Sequence, residues 1–321
     1  MEELNLHDSI KSSKNILIIS HVNPDGDTLG SMLALRDLIY NTFKKKPEMM
    51  AISKIPKMYE FLNGVKDVKH ISEFDNSMVY DLVILVDVAA LDRIFDAQIF
   101  FEKAKIKAVI DHHKTNNYAA DIRMVQGESS STGELLYTIA ENYGWKFDEN
   151  VAEALYTAIL TDTGGFRFDN TKALTLEVAS KLVDLGAKPL WIYKNCYEMK
   201  SKNLVLFQAY CINKAEFLND DKIGYITIYK KDIEKFGGGE DFTEGLVESI
   251  RSIETTEVAF LLKEIEHKTF KVSMRSKTLD VAEVCSAFNG GGHKFAAGCV
   301  LKGSESDCVK KLLAEIEKQR L

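Results

Sequence analysis

The stretch Asn15–Asp27, NILIISHVNPDGD, joins a run of aliphatic residues to a turn that contains one histidine and two aspartates. A short continuous apolar run is typical of a strand that is buried on both faces of a sheet. Pro24, Asp25 and Gly26 favour a sharp turn, and helical spacing follows over Thr28–Tyr40. The stretch therefore predicts a strand, a turn and a helix, which is the unit of parallel α/β sheets.

The same alternation continues through the first half. Apolar runs predict strands at Asp81–Val86 and Ile106–Ile110, and helical spacing covers Thr132–Tyr143, Val151–Thr161 and Thr171–Leu185. The sequence therefore predicts an α/β fold with a mainly parallel N-terminal sheet flanked by helices.

The second half has a different pattern. Ile223–Tyr229 alternates like a strand, and Val258–Glu264 and Thr269–Met274 flank a short polar turn, which predicts a hairpin. A helix is expected over Leu279–Phe288, followed by a glycine-rich stretch, a strand and a closing helix from about Glu305. These elements predict a second, smaller α/β domain.

A length of 321 residues suits two domains. Few helix breakers occur in 191–217, which is why we place an inter-domain connector there. The expected boundaries are a catalytic domain at 1–188, a helical connector at 189–218 and a substrate domain at 219–321, with the active site in the cleft between the domains.

Composition limits the class of protein. Hydrophobic residues make up 45% and charged residues 28%, which is the balance of a globular protein. No apolar run reaches the roughly 20 residues of a membrane span, and no signal pattern opens the chain. Five cysteines without paired spacing indicate reduced thiols, so we expect a cytoplasmic protein without a membrane partner. A net charge of -7 argues against long duplex DNA as a ligand.

Four clusters of potential metal ligands follow predicted strands or end a predicted helix. In open α/β sheets, ligands bind outside the carboxyl ends of the strands. Imidazole and carboxylate groups suit divalent metal ions. The clusters are His21 with Asp25 and Asp27; Asp87; Asp111 with His112 and His113; and Asp162.

Each cluster alone has a simpler explanation. Asp25 and Asp27 could cap a helix, Asp87 could be a cap or an ion-paired strand end, and Asp162 could end a helix. The adjacent histidines could form a surface pair. At a strand end they are expected to point to opposite sides and to have different roles, with Asp111 as an orienting partner. Four such clusters in one domain favour a metal site.

The motifs, in their order and spacing, resemble those of the DHH phosphoesterase superfamily. The matching pieces run from about Asn15 to about Leu301, and the arrangement is most similar to the nanoRNase/pAp-phosphatase group. They are HVNPDGDTLGS, the strand before Asp87, IDHHKTN, TDTGGF, VSMRSK and NGGGHKFAAG.

The resemblance implies two manganese ions that share a bridging carboxylate. His113 falls where the family places a substrate-facing imidazole, which could donate a proton. The implied ligands are His21, Asp25 and Asp87 for the first ion, and Asp87, Asp27, His112 and Asp162 for the second.

In the second domain the resemblance implies residues that hold a phosphate or a terminal nucleotide. A run of glycines lets backbone N–H groups approach a phosphate, and an arginine offers a planar fork for the same anion. The arginine could instead be an ordinary surface residue of a strand, and the histidine a packed structural one. The implied residues are Arg275, Gly290, Gly291, Gly292 and His293.

Two positions depart from the pattern. Val88 stands where relatives often have a small hydroxyl residue, which puts one hydrogen bond near Asp87 in doubt. Asn289 stands where a further glycine is frequent, so we expect a slightly less permissive loop. Neither change removes a reactive group.

The implied function is hydrolysis of short single-stranded oligonucleotides to mononucleotides, of pAp-type nucleotides, or of both, by water activated between two metals. A linear or cyclic dinucleotide phosphodiesterase is the alternative within the same chemistry. An inorganic pyrophosphatase shares the first-domain motifs but lacks the GGGH loop. A non-catalytic nucleotide sensor would typically have lost a ligand, and a dinucleotide-binding dehydrogenase would need GxGxxG after the first strand. The oligomeric state stays open, a homodimer included.

Overall fold

The aliphatic runs of the first half form a six-stranded parallel sheet. The structure is a computed structural model that describes residues 4–238, 240–243 and 245–319. The sheet has the order β3-β2-β1-β4-β5-β6, and each neighbouring pair is parallel. Its strands are β1 (Ile16–Ile19), β2 (Glu48–Ala51), β3 (Lys69–His70), β4 (Leu82–Val86), β5 (Ile106–Asp111) and β6 (Ile122–Val125).

Helices cover both faces of this sheet, because its central strands carry aliphatic residues on both sides. Ile18 and Ile84 belong to one buried cluster, and Leu17 and Leu85 belong to another on the opposite face. This confirms the predicted parallel sheet flanked by helices. The helices of this part are α1 (Leu6–Ser12), α2 (Gly26–Phe43), α3 (Gln98–Lys103), α4 (Thr132–Asn142), α5 (Glu149–Asp162), α6 (Ala173–Asp184) and α7 (Pro189–Tyr193).

Strand order determines where a ligand can bind. The chain runs outward from β1 to β3 on one side and from β4 to β6 on the other, so the order reverses between β1 and β4. A crevice forms at the carboxyl ends of strands at such a switch point. The residues after β1 and β4, which begin with Ser20 and Asp87, are therefore placed side by side.

The chain divides into two compact units, Met1–Met199 and Lys200–Leu321. The division lies within the segment 189–218 that the sequence predicts as a helical connector. This segment is not one helix: α7 continues into a π-helical turn at Lys194–Glu198, and α8 (Lys202–Asn213) begins after a break. Phe207 of α8 packs with residues of the second unit.

The second unit contains a mixed sheet of order β11-β12-β10-β9-β8-β7. The predicted β9–β10 hairpin is present, and β8 pairs with β9 in parallel. Nowhere in the described part of the chain is a helix long and apolar enough to cross a membrane. The strands are β7 (Glu216–Leu218), β8 (Ile223–Ile228), β9 (Val258–Glu266), β10 (Thr269–Ser276), β11 (Gly291–His293) and β12 (Ala296–Lys302); the remaining helices are α9 (Lys230–Lys235), α10 (Leu246–Arg251), α11 (Val281–Ser286) and α12 (Glu305–Lys318).

Candidate metal centre

Side chains from four separate segments converge at the carboxyl edge of the parallel sheet. They come from the loop after β1 with the adjoining first turn of α2, from the loop after β4, from the loop after β5 and from the last residue of α5. Within each of three overlapping groups, the potential ligand atoms all lie within 4.8 Å of one another. We name His21, Asp25 and Asp87 the first ligand group, and Asp27, His112 and Asp162 the second; Asp87, His112 and His113 form the third.

The first ligand group surrounds the hydroxyl of Thr28. Thr28 Oγ1 lies 2.7 Å from His21 Nε2, 2.7 Å from Asp87 Oδ2 and 2.9 Å from Asp25 Oδ1. His21 Nδ1 is 2.7 Å from the carbonyl oxygen of Val22. A proton on Nδ1 would be donated to that carbonyl, which leaves the Nε2 lone pair facing the carboxylates.

The charges of the first ligand group are reflected in the pKa of His21. Burial lowers this pKa, but the hydrogen bond to Asp87 and the negative charges of Asp87 and Asp25 outweigh burial, so the pKa is raised. The carboxylates of this group therefore favour a positive charge at the position of the imidazole.

The second ligand group is arranged around His112. Its Nε2 lies 3.7 Å from Asp27 Oδ2, 3.6 Å from Asp162 Oδ2 and 3.8 Å from Asp87 Oδ1. Burial raises the pKa of Asp162 to about 7. Burial, with the negative charges of Asp87 and Asp162, raises the pKa of Asp27 well above its ordinary value. Three carboxylates, those of Asp27, Asp87 and Asp162, thus lie close to His112 Nε2.

Asp87 offers one carboxylate oxygen to each ligand group. Its Oδ2 faces His21 at 3.5 Å, and its Oδ1 faces His112 at 3.8 Å. Thr28 donates to Oδ2 at 2.7 Å, and Thr132 donates to Oδ1 at 3.0 Å. Burial raises the pKa of Asp87, but the hydrogen bond to His21 and the positive charges of the histidines bring it below its ordinary value. The side chain is arranged as a carboxylate that bridges two ions would be.

The N-terminus of α4 holds Asp27. The backbone N–H groups of Thr132 and Gly133 donate to its two oxygens at 2.8 and 2.9 Å. Free N–H groups and the helix dipole both favour an anion at this position. Asp27 therefore has a defined orientation, although two other carboxylates lie beside it.

His113 differs from the expectation that the adjacent histidines point to opposite sides. The rings of His112 and His113 lie 4.7 Å apart, and each approaches Asp87 Oδ1, at 3.8 and 3.6 Å. The expectation was wrong because strand β5 ends at Asp111, so strand alternation does not extend to these two residues.

Asp111 orients His113, as expected of it. Asp111 is fully buried, its Oδ1 accepts from His113 Nδ1 at 2.7 Å, and its Oδ2 accepts from Asn116 Nδ2 at 2.7 Å. The hydrogen bond to Asp111, opposed by burial, raises the pKa of His113 to about 9. An Nδ1–H bound to Asp111 leaves Nε2 as the reactive nitrogen of this ring.

Several residues of the centre were not identified from the sequence. Thr28 directly follows the HVNPDGD motif, and Thr132 lies in the hydroxyl-rich run SSSTG, which was the available signal. Asn170 donates to the Asp162 carbonyl oxygen at 3.1 Å. Val88 lacks a hydroxyl, but Thr28 and Thr132 supply two hydroxyl donors to the carboxylate of Asp87.

The proposed substrate residues of the second unit lie on two strands of its sheet, apart from Gly290, which directly precedes β11. Arg275, on β10, forms an ion pair with Glu248 at 2.8 Å and donates to the Met274 carbonyl oxygen at 2.9 Å. His293 is exposed, so it is not a packed structural histidine. It ends β11, an edge strand that pairs with β12.

The expected glycine loop is therefore mostly a strand, and its glycines differ in role. A Cβ at Gly290 would lie 2.3 Å from Gly298 O, and one at Gly292, where φ is +148°, would lie 2.5 Å from Ala296 O. A Cβ at Gly291 would meet no atom within 4 Å. Asn289 has φ 57°, a left-handed conformation that asparagine adopts more readily than most other residues with a side chain.

The donor set fits divalent metal ions. It combines imidazole nitrogens with carboxylate oxygens, which suits Mn²⁺ and related ions. Burial, and after it the negative charges of Asp87 and Asp162, raise the pKa of Asp27 and so disfavour its carboxylate form. A bound cation would stabilise that carboxylate form.

Comparison with known proteins identifies the same two parts of the chain. A model of the DHH family, N-terminal domain, matches residues 15–159, and a model of the DHHA1 domain matches residues 228–319. A crystal structure of an exopolyphosphatase-related protein from Bacteroides fragilis matches with a TM-score of 0.91 and 27% identity, over 97% of this chain and 94% of that chain.

Curated relatives match along nearly their whole length. The bifunctional oligoribonuclease and PAP phosphatase NrnA of Bacillus subtilis is 29% identical over 308 residues, which are 94% of this chain and 93% of that protein. The probable bifunctional oligoribonuclease and PAP phosphatase NrnA of Streptococcus mutans is 30% identical over 291 residues, 90% of each chain. This chain therefore belongs to the DHH family, with an N-terminal DHH domain followed by a DHHA1 domain.

Proposed function

We propose that this protein is a metal-dependent phosphoesterase that hydrolyses short oligonucleotides to mononucleotides and removes a phosphate from pAp-type nucleotides. The observation that carries the proposal is the pair of ligand groups that face opposite oxygens of Asp87. The relatives from Bacillus subtilis and Streptococcus mutans, an oligoribonuclease and PAP phosphatase and a probable one, support this substrate class.

The proposed ions are two Mn²⁺. His21, Asp25 and Asp87 would hold one, and Asp27, Asp87, His112 and Asp162 would hold the other. When bound, such ions supply Lewis acidity toward water and phosphate.

His113 is the proposed proton donor to the leaving oxygen. With a pKa of about 9, its imidazole carries a proton at neutral pH. Asp111 accepts the hydrogen bond from Nδ1, so Nε2 can present its own proton to a substrate. General acid catalysis by a positioned histidine contributes about 10²–10⁴-fold.

In the second unit, Arg275 and His293 are the proposed binding residues for the substrate's phosphate or terminal nucleotide, together with Gly290, Gly291 and Gly292. Gly291 supports this role, because the space around its Cα is open.

All five cysteines are free and buried, in keeping with a reducing, cytoplasmic location.

One assay tests the proposal. The purified protein, loaded with Mn²⁺, is incubated with pAp, labelled di- to decanucleotides, linear and cyclic dinucleotides, and pyrophosphate. We expect turnover of pAp and of the shortest oligonucleotides, with a decline as length increases. Turnover of a cyclic dinucleotide alone, or of pyrophosphate alone, would contradict the proposal, and so would the absence of turnover with all substrates.

A further inference from the structure

Arg93 lies beside the first ligand group, in the short 3-10 helix Leu91–Ala97 that follows β4. Its carbonyl oxygen accepts a hydrogen bond of 2.9 Å from the N–H of Val22, which ties this helix to the loop after β1. Its Nη2 lies 3.5 Å from His21 Nδ1 and 3.5 Å from the Val22 carbonyl oxygen. The guanidinium is thus next to the imidazole of a proposed metal ligand.

The guanidinium is not engaged by a carboxylate. Arg36 and Arg275 form ion pairs with acidic residues at 2.7 and 2.8 Å. Among the residues that the structure describes, Arg93 has no ion pair, and its two side-chain contacts lie at the limit of hydrogen-bond length. Arg93 is exposed, and its side chain carries five N–H donors.

The tautomer of His21 strengthens this point. His21 Nδ1 lies 2.7 Å from the Val22 carbonyl oxygen, and in the tautomer that donates to this carbonyl the nitrogen offers no lone pair to Arg93. In that tautomer the guanidinium of Arg93 lies beside the His21 ring without forming a hydrogen bond to it. The donors remain available for a ligand.

We propose that Arg93 binds a non-bridging oxygen of the phosphate group that is hydrolysed at the metal centre. A planar guanidinium matches two phosphate oxygens, and its charge persists at every working pH. The ligand class is a phosphate monoester or diester, and the inference rests on the proposed phosphoesterase function. Arg93 was not singled out by the motifs, and neither ligand group includes it.

The test compares Arg93→Met, Arg93→Lys and the wild type. Methionine keeps an aliphatic stem without the charge, and lysine keeps the charge without the fork. The matched control is Asp92→Ala, an exposed neighbour in the same 3-10 helix. For each Mn²⁺-loaded protein, calorimetry measures the binding of inorganic phosphate and of Mn²⁺, and kinetics measures kcat/KM for pAp and for bis-p-nitrophenyl phosphate.

We expect Arg93→Met to weaken phosphate binding and to lower kcat/KM for both substrates by about 10- to 150-fold. Arg93→Lys should reduce phosphate affinity and kcat/KM by a smaller factor. Asp92→Ala should match the wild type in both quantities, and every variant should bind as much Mn²⁺ as the wild type. Phosphate affinity and kcat/KM within about threefold of the wild type in Arg93→Met would overturn the inference. Loss of Mn²⁺ from both Arg93 variants would overturn it as well, since the residue would then be structural.

The phosphate arm separates this inference from the proposed function. If the wild type hydrolyses no nucleotide but binds phosphate through Arg93, the proposed function fails and the inference stands. If the wild type hydrolyses pAp and the Arg93 variants match it, the inference fails and the proposed function stands.

Discussion

At the scale of the residue, Asp87 combines a special backbone with a special side chain. Its φ of 60° is in the left-handed region, which aspartate and asparagine tolerate better than most other residues with a side chain. The sequence identifies the residue, because a carboxylate that ends an aliphatic strand is costly without a partner. It does not reveal the backbone conformation or the two threonine donors, since these depend on segments distant in sequence.

We predict that Asp87→Asn nearly abolishes turnover and removes bound Mn²⁺. Asparagine keeps the left-handed backbone but cannot bridge two cations with a charged group. Circular dichroism should show an intact fold, while calorimetry should show fewer than two ions bound. Two Mn²⁺ ions with activity within about tenfold of the wild type would refute the bridging role.

His113 permits a second prediction at this scale. Replacing it by alanine should lower turnover by roughly 10²-fold or more, with Mn²⁺ content retained. The acidic form donates the proton, so wild-type activity should decline as the pH rises through the His113 pKa of about 9. His113→Ala should lack that decline. A variant that loses an ion would instead identify His113 as a ligand, an option that the third group leaves open.

At the scale of the element, close helix packing aligns the ligand groups. A Cβ at Gly30 would lie 2.4 Å from the Ala154 carbonyl oxygen, so α2 and α5 approach each other closely. Asp27 lies in the first turn of α2, and Asp162 is the last residue of α5. The sequence predicted both helices but not this contact, because nothing in a periodic pattern shows which helices become neighbours.

We predict that Gly30→Ala destabilises the protein and weakens Mn²⁺ binding. Alanine is favoured over glycine in a helix by about 1 kcal/mol, whereas overpacking costs about 1–3 kcal/mol, and here the clash is with backbone. Gly291→Ala, where the added Cβ meets no atom within 4 Å, is the control for stability. Thermal unfolding should show a Tm below that of the wild type for Gly30→Ala and an unchanged Tm for Gly291→Ala. A Tm at or above that of the wild type would exclude the packing role.

The strands show the limit of sequence-based prediction at this scale. β1, β4 and β5 were predicted because each is an aliphatic run, interrupted within Ile106–Ile110 only by Lys107. β3 was missed because it is two exposed residues, Lys69 and His70, and β2 because EMMA is short and lacks β-branched residues. The neighbour relation of β1 and β4, which creates the site, follows from strand order and is not encoded in any local pattern.

At the scale of the whole molecule, the chemistry is partitioned along the chain. Every proposed metal ligand belongs to the first unit. The second unit contains the proposed substrate residues, which are Arg275 and the stretch from Gly290 to His293. The motifs allowed this partition to be predicted, because each motif lies in one half. The ion pair of Arg275 with Glu248 could not be predicted, because α10 has no distinguishing motif.

We predict that Arg275→Ala separates substrate binding from catalysis. A charge-assisted bond to a phosphate is worth about 1.5–3 kcal/mol, so KM for pAp should rise by roughly 10–150-fold, with Mn²⁺ binding unchanged. Bis-p-nitrophenyl phosphate is small enough not to need the arginine and should be hydrolysed almost normally.

The matched control is Glu248→Gln, which breaks the same ion pair but keeps the guanidinium. If Arg275 only stabilises the fold, the two variants should lower Tm alike and neither should affect pAp selectively. If it binds substrate, only Arg275→Ala should raise KM for pAp. Equal losses on both substrates, or a loss of Mn²⁺, would reject the division of roles.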